Sequence, residues 1–459
     1  MFGIAASPVL KKLRQAALLT GLHIFPVVLY AQHTTGATQT TPHPGNLTDS
    51  ALLDLVQHQT FRYFWDFAHP VSGLARERSN QTFNYGNEVV TTGGSGFGIM
   101  AILVATERKW ITREQAVERM QKILRFLSKA DSYHGIFPHW LNGETGKTIP
   151  FSRKDDGGDL VETSYLFQGL LCARQYFNGP GRGEAGIRNQ INSLWGEAEW
   201  SWHTRDNMDL LYWHWSPNNG WSMNFELRGY NEALITYVLA ASSPRYPISA
   251  EVYRRCWAVS DHFRNGKSYY GITLPLGFDY GGPLFFAQYS FLGLDPRGLK
   301  DRYADYWEQN RNHTLINREY CITNPLHFKG YGANCWGLTA SDNYEGYSAH
   351  SPTNDLGVIT PTAALSSFPY TPEYSMQALK YFYNNLGGKI WGPYGFTDAF
   401  SESKDWYGDS YLAIDEGPIV VMIENYRSGL LWRLFMSCPE IRTGLKKLGF
   451  ESPHIHDRP

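Results

Sequence analysis

The sequence lacks most of the patterns by which metal-dependent, redox and nucleotide-binding enzymes are identified. Its five cysteines form no C-x-x-C pair among 459 residues, and no H-E-x-x-H segment occurs, so we expect no metal site. The glycine-rich segments lack the lysine of a phosphate-binding loop, and Gly93-Gly94-Ser95-Gly96 does not match the G-x-S-x-G motif of serine hydrolases. These absences predict a protein that works without a metal or a cofactor.

An excess of positive charge is also missing. The chain has 41 Lys and Arg residues against 43 Asp and Glu residues, and three of the basic ones, Lys11, Lys12 and Arg14, fall in the first 31 positions. Without those positions the net charge becomes −5, from 38 basic and 43 acidic residues. This balance argues against a nucleic-acid partner and against an anionic membrane surface.

The first 31 residues have the composition of a secretory signal peptide. The basic residues precede a mostly apolar stretch from Ala16 to Tyr30, and Ala31-Gln32 is a suitable cleavage point. This stretch is too short to cross about 30 Å of hydrocarbon as a helix, although an uncleaved membrane anchor is the alternative. We therefore predict a signal peptide over 1–31, a flexible leader over 32–48, and a single domain over 49–459 that is periplasmic or secreted.

The cysteines are scattered and odd in number, so they cannot all pair within one chain. Cys172 lies in an apolar stretch and is expected in the core. A disulfide between Cys321 and Cys335 would suit an oxidising compartment, and two free thiols are the alternative.

Apolar residues recur with helical spacing along most of the chain, and clear strand alternation is scarce. Thr112 and Ser50 have the character of N-caps, and Pro418 suits the first position of a helix. Ten predicted helices joined by long loops favour an all-α fold, an (α/α)6 barrel (toroid), over a helical solenoid, because no repeat of about 34–45 residues is present. The predicted helices cover 49–67, 96–108, 112–130, 159–178, 185–204, 230–241, 248–263, 299–311, 373–386 and 418–436.

Acidic or polar residues stand directly before four of the apolar helices. The segments are 91–96, 153–162, 229–232 and 413–417. Such residues commonly cap a helix N-terminus, which stabilises the helix by about 0.3–1 kcal/mol, and any one segment taken alone is more simply explained as a cap. In a barrel whose inner helices run parallel, however, the four helix starts meet at one end, so the acids would face one cleft.

The segment 153–162 carries three acids at helical spacing. Asp155, Asp159 and Glu162 stand at i, i+4 and i+7, and they share one face if the helix extends back to residue 155. Like charges so placed raise one another's pKa, and a catalytic acid needs a raised pKa to hold its proton near neutral pH. Arg153 and Lys154 are adjacent and would neutralise part of that charge.

Aromatic residues, which make up 15% of the chain, accompany these acidic segments. Trp140, Trp221 and Trp406 are the best candidates for flat platforms on which sugar rings stack, although packing in the core is the alternative for each of them. Together the acids and the rings favour a glycoside hydrolase that uses paired carboxylates. A non-catalytic glycan-binding protein is the alternative from another class, since it needs the rings but not the acids.

Five longer motifs stand out between about residues 50 and 450. They are TGGSGFG at 92–98, GYNEA at 229–233, YGFTDAF at 394–400, YLAIDEGPIV at 411–420 and IENYRSGLLW at 423–432. Together they resemble the bacterial glucoamylase-like family that contains the endo-β-1,2-glucanases. The resemblance implies an (α/α)6 barrel that hydrolyses β-1,2-glucan to short sophorooligosaccharides with inversion and without a metal.

The resemblance also implies roles for individual residues. Glu232 matches the proton donor, while Asp159, Glu162 or Asp415 would activate the water. The family usually has Gln where this chain has Glu416, which would add a charge near the site. Family members differ between internal cleavage and release of a disaccharide from an end, so both modes stay open, and a monomer is assumed. The residues expected to bind the glucan chain are Asp155, Trp140, His139, Trp221, Tyr230, Asn231, Phe97, Asp398 and Trp406.

Overall fold

Helices form most of the structure, as their apolar spacing predicts. The computed structural model describes residues 47–79, 86–206, 209–260 and 262–455. The predicted signal peptide and nearly all of the predicted leader lie outside these residues. The helices are α1 (Asp49–Trp65), α2 (Thr92–Glu107), α3 (Arg113–Leu127), α4 (Leu160–Tyr176), α5 (Arg182–Glu197), α6 (Leu234–Ser242), α7 (Ala250–Val252), α8 (Tyr306–Thr323), α9 (Pro361–Leu365), α10 (Pro372–Ile390), α11 (Ala413–Arg427), α12 (Leu430–Met436) and α13 (Pro439–Leu448).

The helices build the two layers of an (α/α)6 barrel. In the inner layer, α2, α4, α6, α9 and α11 are buried around nearly their whole circumference. Two 3-10 turns, Leu284–Ala287 and Tyr289–Phe291, complete this layer. Helices α1, α3, α5, α10 and α13 alternate buried and exposed faces, and they pack around the inner helices. The predicted all-α barrel is confirmed.

Glycines allow the inner helices α2 and α4 to pack very closely. A Cβ at Gly96 would lie 2.1 Å from the carbonyl oxygen of Tyr165, and a Cβ at Gly169 would lie 2.1 Å from the carbonyl oxygen of Gly96. Neither distance is sterically allowed, so the contact depends on the absence of these side chains. This close packing places Glu162, in the first turn of α4, beside the first turn of α2.

Local side-chain chemistry sets helix boundaries that periodicity alone did not predict. The N-cap of α1 is Thr48 rather than Ser50, and its hydroxyl accepts a hydrogen bond from the Ala51 N–H at 3.3 Å. Pro418 lies inside α11 and not at its start. The prediction for Thr112 is confirmed, because it caps α3 with a complete capping box.

Three further predicted helices differ from the structure. The helix predicted over 418–436 is interrupted by Gly429, which has a left-handed φ of 67° and separates α11 from α12. The helix predicted over 299–311 is replaced by α8, which the Asp305 side chain caps at its N-terminus. The helix predicted over 248–263 reduces to α7 and a π-helical turn, Tyr253–Trp257. Helices α9 and α13 had no counterpart in the prediction.

The strands are short, antiparallel and confined to the loops between helices. The pairing of β5 with β6 places Asp159 opposite His214, and the pairing of β1 with β15 places Ser79 opposite Tyr411. The strands are β1 (Arg78–Ser79), β2 (Val89–Thr91), β3 (Trp140–Asn142), β4 (Thr148–Ile149), β5 (Gly158–Asp159), β6 (His214–Trp215), β7 (Ser268–Tyr269), β8 (Ile272–Thr273), β9 (Ala340–Asn343), β10 (Gly346–Ala349), β11 (Trp391–Gly392), β12 (Gly395–Phe396), β13 (Phe400–Ser401), β14 (Trp406–Tyr407) and β15 (Tyr411–Leu412).

All five cysteines are buried and carry free thiols. Cys321 and Cys335 pack in an apolar cluster with Trp336 and Leu338, so the disulfide considered from the sequence is not formed. Within the described residues, no helix is both long and apolar enough to cross a bilayer.

Candidate active site

A pocket of about 290 Å³ lies where the N-terminal ends of α2, α4, α6 and α11 meet. The four helix starts that carry polar or acidic residues in the sequence therefore face one cavity. Carboxylates and aromatic rings dominate its wall. The lining residues are Glu77, Arg78, Thr91, His139, Trp140, Phe151, Val161, Glu162, Tyr165, Trp213, Glu232, Phe285, Tyr289, Ala340, Tyr347, Leu412 and Ile414.

Glu232 lines the pocket from the turn before α6. The hydroxyls of Ser290 and Tyr165 donate hydrogen bonds to its carbonyl oxygen at 2.5 and 3.5 Å, and the Asn231 side chain accepts one from the Ala233 N–H at 2.9 Å, so the turn is held firmly. Among the described residues, no other side chain donates to its carboxylate. Burial raises the pKa of Glu232 to about 7, and the charge on Glu162 adds to this shift.

Glu162 lines the same pocket and has hydrogen-bond donors from other residues, whereas the donor recorded for the Glu232 carboxylate is its own backbone N–H. The backbone N–H of Gly93 donates to its Oε2 at 2.8 Å, the Thr91 hydroxyl does so at 3.5 Å, and His139 Nε2 lies 4.0 Å from its Oε1. Burial raises the pKa of Glu162 to about 7, although the positive charge of His139 and the Gly93 N–H oppose the shift. Gly93 has to be glycine here, because a Cβ would lie 2.5 Å from that Oε2.

Asp159 is the fully buried N-cap of α4. Its Oδ1 accepts hydrogen bonds from the N–H groups of Val161 and Glu162 and from the indole N–H of Trp213. Burial alone would raise the pKa of Asp159, but the hydrogen bond from His139 and the nearby histidine charges hold it below its usual value. The expectation that the three clustered acids raise one another's pKa is therefore wrong for Asp159. Arg153 and Lys154 were expected to neutralise part of this charge, whereas His139 and His214 are the partners of the two aspartates.

Two histidines bring Asp155 and Asp159 together. His139 Nδ1 lies 3.0 Å from Asp159 Oδ2, and His214 Nε2 lies 3.2 Å from Asp155 Oδ2 and 3.6 Å from Asp159 Oδ2. Burial disfavours charge on His139, but Glu162 and Asp159 outweigh it and raise its pKa to about 9. Helix α4 begins at Leu160, so the acids are not brought together by a shared helical face. The pairing of β5 with β6 brings them together instead.

The same group is the nearest approach to a metal site in the described residues. Ligand atoms of His139, Asp155 and Asp159 lie within 4.8 Å of one another. A cation there would have to displace His214 from both carboxylates and compete with the proton on His139. The donor set therefore fits an ion-paired cluster better than a metal centre.

Asp415 lies behind the pocket wall and does not line it. It is 2% exposed, and the Tyr289 hydroxyl, which belongs to a lining residue, donates to its Oδ1 at 3.3 Å. Asp398 is also buried, and its Oδ2 accepts a hydrogen bond from the Asp342 N–H at 2.7 Å. It therefore does not reach the pocket, contrary to its prediction as a substrate-binding residue. Burial raises the pKa of Glu416 well above its usual value and so opposes the extra charge expected at this position.

Arg78 and Glu77 also line the pocket, and neither was predicted from the sequence. Arg78 donates to Glu77 Oε2 at 2.9 Å and to both carboxylate oxygens of Asp342 at 2.8 and 2.9 Å. The two acids raise the pKa of Arg78 despite its burial. No motif marks these residues, and Asp342 is 264 positions away in the sequence, so a search for local patterns could not have found them.

The aromatic platforms at the pocket are mostly not those predicted. Trp140 lines it as expected, together with Phe151, which is 49% exposed and stacks on His139 at 4.0 Å between ring centroids. Trp213 lines it as well. The aromatic segment Trp213-His214-Trp215 could have indicated this wall from the sequence. The nearby Trp221 was predicted as the platform instead.

Seven predicted binding residues lie outside the lining, and two of them are Asp155, which pairs with His214, and the buried Asp398. Trp221 packs against Trp202 and Tyr212, and Trp406 lies in the β13–β14 pair. Three others support the pocket from behind. Tyr230 donates to Asn310 inside the core, Asn231 holds the turn that bears Glu232, and Phe97 packs against Tyr165 and Tyr289.

Comparison with known proteins gives a consistent result. Residues 224–439 match the Glycoamylase family, described as "Putative glucoamylase", and residues 56–158 match a family of proteins of unknown function. A structure from Bacteroides uniformis, described as a "putative glucoamylase", is 62% identical with a TM-score of 0.88, covering 90% of this chain and 100% of that one.

Two further relatives have more specific names. The endo-β-1,2-glucanase from Chitinophaga pinensis, solved with sophorotriose and glucose, is 59% identical with a TM-score of 0.87, covering 89% of this chain and 100% of that one. The exo β-1,2-glucooligosaccharide sophorohydrolase of Parabacteroides distasonis is 47% identical over 443 residues, which are 91% of this chain. The chain spans 61% of the length of that relative.

Proposed function

The chain belongs to the glucoamylase-like family that includes the Chitinophaga pinensis endo-β-1,2-glucanase, and we propose that it is a glycoside hydrolase that cleaves β-1,2-glucan. One observation carries the proposal. Glu232 lines a pocket with a carboxyl whose pKa is raised to about 7, opposite carboxylates that have their own hydrogen-bond donors. A carboxyl with such a pKa can hold a proton near neutral pH and deliver it to a leaving oxygen.

The hydrogen-bond donors around Glu162 and Glu232 suggest which of the two glutamates carries the proton. Glu162 receives the Gly93 N–H and lies 4.0 Å from His139, and both contacts favour its ionised form. Glu232 has neither contact, and although its own backbone N–H favours ionisation, burial and the charge on Glu162 make the ionisation of Glu232 harder. The proton therefore belongs on Glu232, which acts as the general acid, directly or through a substrate hydroxyl.

Among the three candidates for the base, Glu162 has the best access to water. Asp159 is fully buried and its oxygens are occupied by the N-cap bonds, Trp213 and His139. Asp415 is separated from the pocket by Tyr289. We therefore assign water activation to Glu162, and inversion at the anomeric carbon, for which the two carboxyls need a separation of about 6.5–9.5 Å.

The mode of cleavage has two candidates. Internal cleavage is favoured by the Chitinophaga pinensis enzyme, which this chain matches over its full length at 59% identity. Release of a disaccharide from the non-reducing end is favoured by the Parabacteroides distasonis relative at 47% identity. In either mode Trp140, Phe151 and Trp213 are the rings on which glucosyl units would stack.

Incubation of the purified protein with linear β-1,2-, β-1,3- and β-1,4-glucans tests the proposal. We expect hydrolysis of the β-1,2-glucan, with early products of mixed length for internal cleavage or sophorose alone for end release. Proton NMR of the first products reports the anomer and hence inversion. Unchanged glucans together with measurable binding would instead identify a glycan-binding protein.

A matched pair of variants tests the role of Glu232. Glu232→Gln should reduce turnover by about 10²–10⁴ with the fold intact, because the acid is removed. Glu226→Gln is the control, since Glu226 pairs with Arg228 away from the pocket. Near-normal turnover in Glu232→Gln would remove Glu232 from the acid role.

We also propose that the protein acts in the periplasm or outside the cell, because residues 1–31 have the composition of a signal peptide. Fractionation of expressing cells tests this, and a full-length cytoplasmic product would contradict it.

A further inference from the structure

Phe225 carries an exposed aromatic ring directly beside the pocket, although it does not belong to the lining. Its ring is 40% exposed and makes an edge-to-face contact with Trp213, with 5.4 Å between the ring centroids and 76° between the ring planes. Trp213 in turn lines the pocket. An exposed ring needs no explanation when it stands alone, but this one continues a series of rings that leads out of the pocket.

The backbone holds Phe225 in this place independently of its side chain. The Trp213 N–H donates to the Phe225 carbonyl oxygen at 2.9 Å. The Leu227 N–H likewise donates to the Leu211 carbonyl oxygen at 2.8 Å, so the two segments form a short antiparallel pair. The side chain of Trp213 has its own anchor, because its indole N–H donates to Asp159 Oδ1 at 2.8 Å. Loss of the Phe225 ring should therefore leave Trp213 in position.

The angle between neighbouring rings limits the kind of glucan chain that can lie on them. Trp140 and Phe151, on the pocket wall, also meet edge to face, with 4.9 Å between their centroids and 70° between their planes. Sugar units stack with their C–H faces flat on an aromatic ring, so units on neighbouring perpendicular rings must be turned steeply against each other. A β-1,4-linked chain is an extended ribbon whose units present nearly parallel faces. A β-1,2 linkage joins adjacent carbons of the sugar ring and turns each unit against the next, so perpendicular rings fit a β-1,2-linked chain.

We propose that Phe225 forms a further glucosyl-binding subsite, at which a β-1,2-linked chain turns from the face of Trp213 onto the face of Phe225 outside the pocket. The inference rests on the proposed function for the class of glycan. Phe225 then touches the substrate but not the reacting atoms, and it selects for linkage and chain length. It was not predicted from the sequence, since its contact with Trp213 depends on the pairing of two loop segments.

Substitutions at position 225 separate the flat ring from its apolar volume. Binding is measured in a Glu232→Gln background, so that the bound glucan stays intact. Phe225→Leu keeps much of the apolar volume but has no flat face, whereas Phe225→Tyr keeps the ring. In calorimetry with linear β-1,2-glucan, Kd should rise about 5- to 30-fold for Phe225→Leu and stay within about twofold for Phe225→Tyr, because the stacked face is lost only in the first. A Phe225→Tyr variant as weak as Phe225→Leu would overturn the proposal.

Tyr426→Leu is the matched control. Tyr426 is also exposed, at 44%, but it lies in the last turn of α11, whose first turn faces the pocket. This variant should leave Kd unchanged, and a loss as large as that of Phe225→Leu would overturn the assignment of a subsite to Phe225.

Chain length and linkage give two further readouts. The disaccharide sophorose is short enough to remain on the pocket rings, so Phe225→Leu should change its Kd by less than about twofold. Any affinity for β-1,4-linked glucan should be the same with and without the Phe225 ring. An equal loss for sophorose and for the long chain would mean that Phe225 only supports Trp213, and an equal loss for both linkages would remove its role in selectivity. Either result would overturn the proposal.

The binding measurements do not depend on hydrolysis. If the wild-type protein cleaves no glucan while Phe225→Leu weakens binding, the proposed hydrolase function fails and the subsite stands. If β-1,2-glucan is cleaved but Phe225→Leu binds it as tightly as its parent, the subsite fails and the proposed function stands.

Discussion

Replacing Gly93 by alanine should disable the pocket through Glu162 while leaving the barrel folded. The new Cβ would lie 2.5 Å from Glu162 Oε2 and 2.8 Å from Cδ2 of Tyr165. To reach an ordinary contact of 3.4 Å, the carboxylate must withdraw by about 0.9 Å. That movement breaks its 2.8 Å hydrogen bond from the Gly93 N–H. A displacement of about 1 Å in a reacting group costs about 100-fold in rate, so we expect kcat on β-1,2-glucan to fall by about that factor.

Gly388→Ala is the matched control, because Gly388 also lies in a helix, α10, but a Cβ there meets nothing within 4 Å. This variant should keep wild-type kcat and gain about 1 kcal/mol of stability from the higher helix propensity of alanine. Gly93→Ala should lose about 1–3 kcal/mol from overpacking, which a folded barrel tolerates. Reducing-end release measures kcat, and thermal unfolding followed by circular dichroism measures stability. Wild-type kcat in a folded Gly93→Ala protein would refute the idea that the position of Glu162 matters.

Three other predictions concern the remaining charges and rings. Burial raises the pKa of Glu232 to about 7 from the usual 4.5, so protonation of Glu232 stabilises the folded protein fully below pH 4.5, and this contribution is lost as the pH rises through 7. Glu232→Gln should therefore gain Tm relative to wild type as the pH rises over that range. A difference in Tm that does not change with pH would contradict the shift. Arg108→Met should cost about 3–5 kcal/mol in urea unfolding because it leaves the 1% exposed Glu424 carboxylate unpaired, and adding Glu424→Gln should recover most of this loss. Phe151→Ala should raise KM for β-1,2-glucan about 5- to 30-fold with little change in kcat, since a half-exposed ring contributes about 1–2 kcal/mol of apolar contact; a fall in kcat alone would argue against a stacking role.

The sequence predicted the parts of the site that depend on helix starts. Glu232 and Glu162 could be located because each stands directly before or within the first turn of an apolar helix, and the inner helices of a barrel bring such starts together. The same periodicity predicted the all-α barrel. The exact ends of the helices depend on single residues, such as the N-cap Asp305 and the left-handed Gly429. The spacing of apolar residues does not reveal the effect of such residues.

The partners of these acids could not be predicted, because they come from distant loops. His214 reaches Asp155 and Asp159 through a two-residue strand pair, and Arg78 reaches Asp342 across 264 positions. Trp221 illustrates the converse error. It lies close in sequence to Trp213, which does line the pocket, yet its ring packs against Trp202 and Tyr212. Proximity in sequence to an acidic segment does not determine the direction of a loop side chain.

The different roles proposed for the two pocket glutamates depend on groups around them and not on the glutamates themselves. Glu162 and Glu232 have the same side chain, and burial raises the pKa of each to about 7, so burial alone would not distinguish them. The difference comes from a backbone N–H that only a glycine can bring to Glu162, and from His139, whose charge Asp159 helps to maintain. In the proposed mechanism Asp159 acts without reaching the pocket, because it helps to keep His139 protonated and the His139 charge favours the ionised form of Glu162, although the charge of Asp159 itself opposes that ionisation.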